Sequence, residues 1–120
     1  MTHELTQRVF AAIDSMEPDA IAEFLAKDAR LVFGNAEPLS GREAVIAGLQ
    51  AFFSTIKGIR HRIVNEWHMG ADTLVELDVT YRRLDDKSVS VPAASIWHAR
   101  EDGLIEDYRV FFDLTPVYAS

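Results

Sequence analysis

Glu76 and Asp78 stand two apart in the run Val75-Glu-Leu-Asp-Val79, a carboxylate pair of the kind that acid–base catalysis can use. On a strand this spacing puts both on one face, opposite Leu77 and Val79. Arg62 or Arg82 can pair with them there, in solvent or at a subunit contact. A bulge of one residue would reverse the face and carry Asp78 inward.

The four histidines are scattered. His3 sits near the terminus. His61 and His68 lie seven apart on one expected strand, so a straight strand points them to opposite faces. Either could act as an acid or base only where its strand bends inward. His98 faces away from Ser95 and Trp97. No pair has the i, i+4 helical spacing or the carboxylate company of a metal site, and no metal or cofactor is expected.

Hydroxyl and amide groups offer gentler chemistry. Tyr81 and Tyr108 can donate to a carbonyl or hydroxyl ligand, or satisfy themselves on backbone groups. Asn35 can hold a water or a ligand oxygen, although asparagine is also a common turn residue. Trp97 reads as a packing aromatic.

The elements that must position these residues follow from periodicity. Leu5, Val9, Ile13 and Met16 recur at helical spacing over 4–16. Pro18 suits the first turn of a second helix, with Asp19 at its positive end and Ile21, Phe24 and Leu25 as its apolar face. A short extended stretch, 30–33, leads into a loop over 34–40. Ser40 and Glu43 are spaced as a capping box for a third helix, whose face carries Val45, Ile46, Leu49, Phe52, Phe53 and Ile56, with Gly58 as its stop. From Ile59 the period becomes two, and four strands are expected near 60–68, 73–83, 87–99 and 104–113, joined by hairpins. Helices followed by an antiparallel meander make an α+β fold, with the helices on one sheet face.

Composition sets the outer bounds. At 120 residues and 48% hydrophobic content, the chain is one globular domain. Its net charge of −7 argues against a nucleic-acid backbone or an anionic membrane as partner. No apolar run approaches a spanning helix, and the polar start MTHELTQRV does not suit a signal peptide. The absence of cysteine makes a reducing cytoplasm the expected location.

Three short stretches carry a family likeness: Gly41-Arg-Glu-Ala, His68-Met-Gly70 and Phe112-Asp-Leu114. With them nearly the whole chain, 1–120, resembles a single domain of the nuclear transport factor 2-like superfamily, nearest its SnoaL-like and limonene epoxide hydrolase branches. The resemblance implies a cone-like fold, three helices packed on a curved antiparallel sheet. The epoxide hydrolases' Asp–Arg–Asp relay, aligned back from Phe112-Asp-Leu114, falls on Leu77, Val79 and Val110. Their water-holding Tyr and Asn fall on Phe33 and Asn35. The steroid isomerases' base, tyrosine and acid fall on Phe33, Val9, and Ala94 or Ser95. The aspartate of the SnoaL-like cyclases matches no clear position. The usual acids and bases are therefore missing.

With the family's strand parity, Val75, Leu77, Val79, Tyr81, Ala93, Ser95, Trp97, Tyr108, Val110 and Phe112 point inward, with Phe33 and Asn35 to one side. Such a lining either fills a core or surrounds a small hydrophobic metabolite, which the protein would bind and could transform. Catalysis would then rest on Asn35, Tyr81, Ser95, Tyr108 or a histidine. One alternative is a hydrolase, cyclase or isomerase that uses Asp78. Another is a non-catalytic interaction module. The resemblance also implies a homodimer through the outer sheet face, with Ile63 or Trp67 contributing.

Overall fold

The structure, a computed structural model, describes residues 4–119. His3 lies outside them. Helix α1 (Glu4–Asp14) buries Thr6, Val9, Phe10 and Ala12. Met16, at φ 57°, turns the chain, and Pro18 opens α2 (Pro18–Ala22). This helix is shorter than its apolar spacing suggests. Leu25 pairs with Ile105, and Phe24 O accepts from the Ile105 N–H at 2.8 Å, so sheet pairing takes these residues away from the helix.

Strand β1 (Leu25–Phe33) is thus longer than the expected 30–33 stretch. A two-residue strand, β2 (Leu39–Ser40), pairs with it and draws in the backbone of Ser40. The expected capping box does not form. Helix α3 (Arg42–Phe53) starts instead from Gly41, with no side-chain cap.

The meander follows closely the period-two reading: β3 (Gly58–Met69), β4 (Asp72–Arg82), β5 (Ser88–Ala99) and β6 (Ile105–Phe112). Gly58 opens β3 rather than stopping α3, because the helix ends at Phe53. A fourth short helix, α4 (Thr115–Tyr118), adds to the expected three and buries Val117. The sheet order is β2-β1-β6-β5-β4-β3. Every neighbouring pair is antiparallel except β1 and β6, which run parallel.

The register of β3 on β4 slips once, between Ile63 and Asn65. That bulge has a specific result. Before it, His61 pairs with inward Val79; beyond it, His68 pairs with inward Thr73. Both histidines therefore stand on the inner face, where an unbroken strand would have separated them. The slip falls in β3, so β4 keeps its alternation from Thr73 through Tyr81.

Candidate inner-cavity site

Helices α1, α2 and α3 lie over the inner sheet face and leave an internal cavity of about 60 Å³. That is room for roughly four waters, or a ligand core of similar size. Val9 and Ile13 of α1, Ile21 of α2 and Leu49 of α3 meet Leu77, Val79 and Val110 of the sheet around it. One end is narrowed by rings: Phe33 packs edge-on against Phe52 at 4.8 Å and against Phe112 at 4.6 Å.

The polar groups on this wall are few: Arg30, His61, Tyr81, Ser95 and Tyr108. His61 stands out among them. Its backbone N–H donates to Asp14 Oδ2 at 3.0 Å, and its ring Nδ1 lies 2.6 Å from Asp14 Oδ1. A carboxylate can only accept, so Nδ1 carries the hydrogen of this contact, and in the neutral ring Nε2 is the nitrogen left to accept. Phe10 stacks on the imidazole at 4.7 Å and fixes its plane. The His61 side chain is only 10% exposed, which keeps this pair largely out of solvent. At the other end of α1, the Thr6 hydroxyl donates to Glu66 Oε2 at 2.6 Å. The helix that supplies Asp14 is therefore tied to β3 at both ends.

The two tyrosines differ in their partners. Tyr108 donates a long hydrogen bond of 3.4 Å to Ser95 Oγ and stacks on Trp97 at 5.5 Å. The Tyr81 hydroxyl has no partner among the described residues. Burial pushes both phenols well above the usual tyrosine value, and the Asp14 carboxylate adds to the effect on each. Both remain neutral donors across the working pH range.

Of the residues singled out in the sequence, Phe33, Leu77, Val79, Tyr81, Ser95, Tyr108, Val110 and Phe112 all border this cavity. Asn35 does not: it sits exposed in the turn after β1. Trp97 is buried at 1% exposure but lies behind the lining. It borders instead a separate open cleft with Leu5, His68 and His98. Asp78 stays on the outer face, as the unbroken alternation of β4 requires, and takes a hydrogen bond from Arg62 at 3.2 Å. Glu76 accepts from Asn65 at 2.8 Å beside it. Ile63 packs against the core rather than the outer face, whereas Trp67 is 46% exposed. His98 lies 2.8 Å from Asp72 and 3.4 Å from Glu106. Asp14 went unnoticed in the sequence because nothing in spacing links it to a histidine 47 residues on; its only local signal is a carboxylate next to apolar Ile13.

Sequence and structure comparisons agree with this architecture. The profile of the SnoaL-like domain matches residues 6–108, and the chain belongs to that family. Among solved structures, it is similar to a hypothetical protein of ketosteroid isomerase-like fold from Catenulispora acidiphila, in complex with trimethylamine. That match has a TM-score of 0.87 at 19% identity, covering 98% of this chain and 91% of the other. A protein assigned as a SnoaL-like polyketide cyclase from a Jannaschia species matches with a TM-score of 0.83 at 20% identity, over 98% and 91% of the two chains. An epoxide hydrolase of M. tuberculosis, of the limonene epoxide hydrolase type, matches with 0.78 at 16% identity, over 95% and 84%. At these identities the likeness establishes the fold. No curated protein matches the chain. Among the described residues no helix is long and apolar enough to cross a membrane, and no group of His, Asp and Glu side chains is arranged to hold a metal ion.

Proposed function

We propose that the protein takes a small, neutral, largely apolar molecule into the inner cavity and transfers a proton to or from it through His61. The observation that carries this reading is the His61–Asp14 pair on the wall of an otherwise greasy cavity. An imidazole oriented by a carboxylate on the wall of an apolar cavity is a competent general base or acid. It stands at positions other than those that serve the epoxide hydrolases and steroid isomerases. Those positions are apolar here, apart from Asn35 and Ser95. The route through Asp78 lacks support, because its side chain is on the far side of the sheet.

The reading includes a homodimer through the outer sheet face. Trp67 heads a row with Leu74 and Ile96, and Phe111 pairs with Ala94 in the neighbouring region of the same face. Trp67 and Phe111 are 46% and 51% exposed, which is unusual for rings of that size. A cysteine-free chain suits work in the cytoplasm.

Thermal melting against small neutral ketones, epoxides, alcohols and hydrocarbons tests the binding step. A compound present at about 100 times its dissociation constant stabilises by about 2.7 kcal/mol. NMR of the His61 imidazole should shift with the same compounds. A panel that moves neither the melting temperature nor the imidazole signals refutes the reading.

A further inference from the structure

Two buried side-chain atoms among the described residues lack a hydrogen-bond partner, Trp97 Nε1 and Asp107 Oδ1. Such groups are nearly always paired in native proteins. Asp107 has compensation, because the Arg30 guanidinium lies 3.8 Å from that oxygen. Trp97 has none: an indole N–H can only donate, and the residue is 1% exposed. Its ring stacks on Tyr108 at 5.5 Å. Tyr108 borders the inner cavity and Trp97 borders the open cleft, so this ring pair separates the two spaces.

The cleft measures about 520 Å³. Small-molecule sites run to about 300–1,000 Å³. Leu5, Ala71 and Ala99 give it apolar surface, while Thr73, Arg100 and Glu101 give it polar surface. Its cations are already held by carboxylates. Arg100 donates to Asp102 Oδ2 at 2.7 Å and lies 3.6 Å from Asp28, and His98 stands between Asp72 and Glu106. An incoming anion would find these cations taken and would face the exposed Glu101 carboxylate. An ammonium group brings no acceptor for the indole. A neutral amide answers both demands, with a carbonyl to accept from Trp97 and an N–H to give to Glu101.

We propose that this cleft is a second binding site, for a small neutral amide whose carbonyl oxygen takes the hydrogen bond of Trp97 Nε1. The nitrogen is covered, so the wall must give as the oxygen reaches it. An apolar group of the ligand rests on Leu5 and the two alanines. The site lies apart from the inner cavity and does not depend on His61.

The probe is N-acetyl-leucinamide, which is neutral and carries amide carbonyls, amide N–H groups and one branched apolar side chain. Proton–nitrogen NMR of the full chain, labelled with ¹⁵N, reads the indole N–H groups directly. The chain has two tryptophans, and Trp67→Phe tells their signals apart. The probe should move the Trp97 indole proton downfield as the hydrogen bond forms. N-acetyl-leucine, an anion, and leucinamide, a cation, should each bind at least about tenfold more weakly. Trp97→Phe keeps a ring in the stack and should weaken the probe by about three- to tenfold. Melting checks that this variant folds; if it does not, the indole signal and the charge series on the unaltered chain decide. An indole signal that stays in place, a charged compound that binds as well as the neutral one, or full affinity in folded Trp97→Phe each overturns the proposal. Shifts confined to the His61 imidazole would put the probe in the inner cavity and overturn it too. The inner-cavity reading stands or falls on its own panel.

Discussion

His61 gives Asp14 two hydrogen bonds at once, from its backbone N–H at 3.0 Å and from its ring Nδ1 at 2.6 Å. Chain direction and ring direction are therefore set by one carboxylate, which sits at the last residue of α1. Asp14→Ala should cost about 1–3 kcal/mol, since it strips a half-buried N–H and a ring N–H of their acceptor. Urea melts measure that loss. ¹⁵N NMR of His61 should show the fixed tautomer giving way to a mixture. A single unchanged tautomer in Asp14→Ala would mean that the carboxylate does not orient the ring.

The cavity wall makes a second prediction. Leu77 is 2% exposed and lines the cavity, in the middle of unbroken β4. Leu77→Ala should destabilise the fold by about 2–5 kcal/mol and enlarge the existing void. It should also shift binding toward bulkier neutral ligands, which the same melting panel detects. Leu77→Ala that keeps full stability would show that this wall relaxes to close the gap.

Much of this architecture was legible in the sequence because alternation along β4, β5 and β6 reports burial directly. Alternation groups Leu77, Val79, Tyr81, Ser95 and Tyr108 on the same side of their strands, and the resemblance to the family turns that side inward. The pairing of His61 with Asp14 was not legible, for a physical reason: parity fails at a bulge. The slip between Ile63 and Asn65 depends on how β3 bends across β4, and no residue there announces it. The capping box misled for a related reason. Ser40 has the right chemistry, but β1 captures its backbone for a two-residue ladder before the helix begins. Asn35 kept its other role, as a turn residue, because the chain leaves the sheet one residue earlier at Gly34.

Gly34 explains how the aromatic end of the cavity closes. Its φ of +59° is left-handed, and a Cβ there would stand 2.8 Å from the Phe112 ring. Gly34→Ala therefore meets both backbone strain and a clash with a ring that is itself packed on Phe33. A loss of about 1–3 kcal/mol is expected. Gly34→Ala combined with Phe112→Leu should recover part of it, since the smaller side chain leaves space for the methyl. Equal losses in the single and double variants would assign the whole cost to the backbone.

The outer face gives a prediction about assembly. Sedimentation of the full chain should show a dimer, and Trp67→Glu with Phe111→Glu should yield a folded monomer, because charge replaces the two large exposed rings of that face. A wild-type monomer at micromolar concentration would remove the homodimer from the proposal.

His98 supplies a pH dependence whose sign can be worked out. Its hydrogen bond to Asp72 comes first, followed by the charges of Asp72 and Glu106, and together they raise its pKa above the usual histidine value near 6.5. A raised folded value means that the folded state favours the proton. The contribution to stability is thus fully present below the unfolded value and fades as pH rises through the folded one. The imidazole is solvent-exposed, so the effect is small and salt should screen it. His98→Gln should remove it. Denaturation midpoints of the two proteins, compared from about pH 5 to 8, should differ most at the acid end and converge toward the alkaline end. A gap that widens with rising pH would show that His98 is held neutral in the fold, against the geometry of its two carboxylate neighbours.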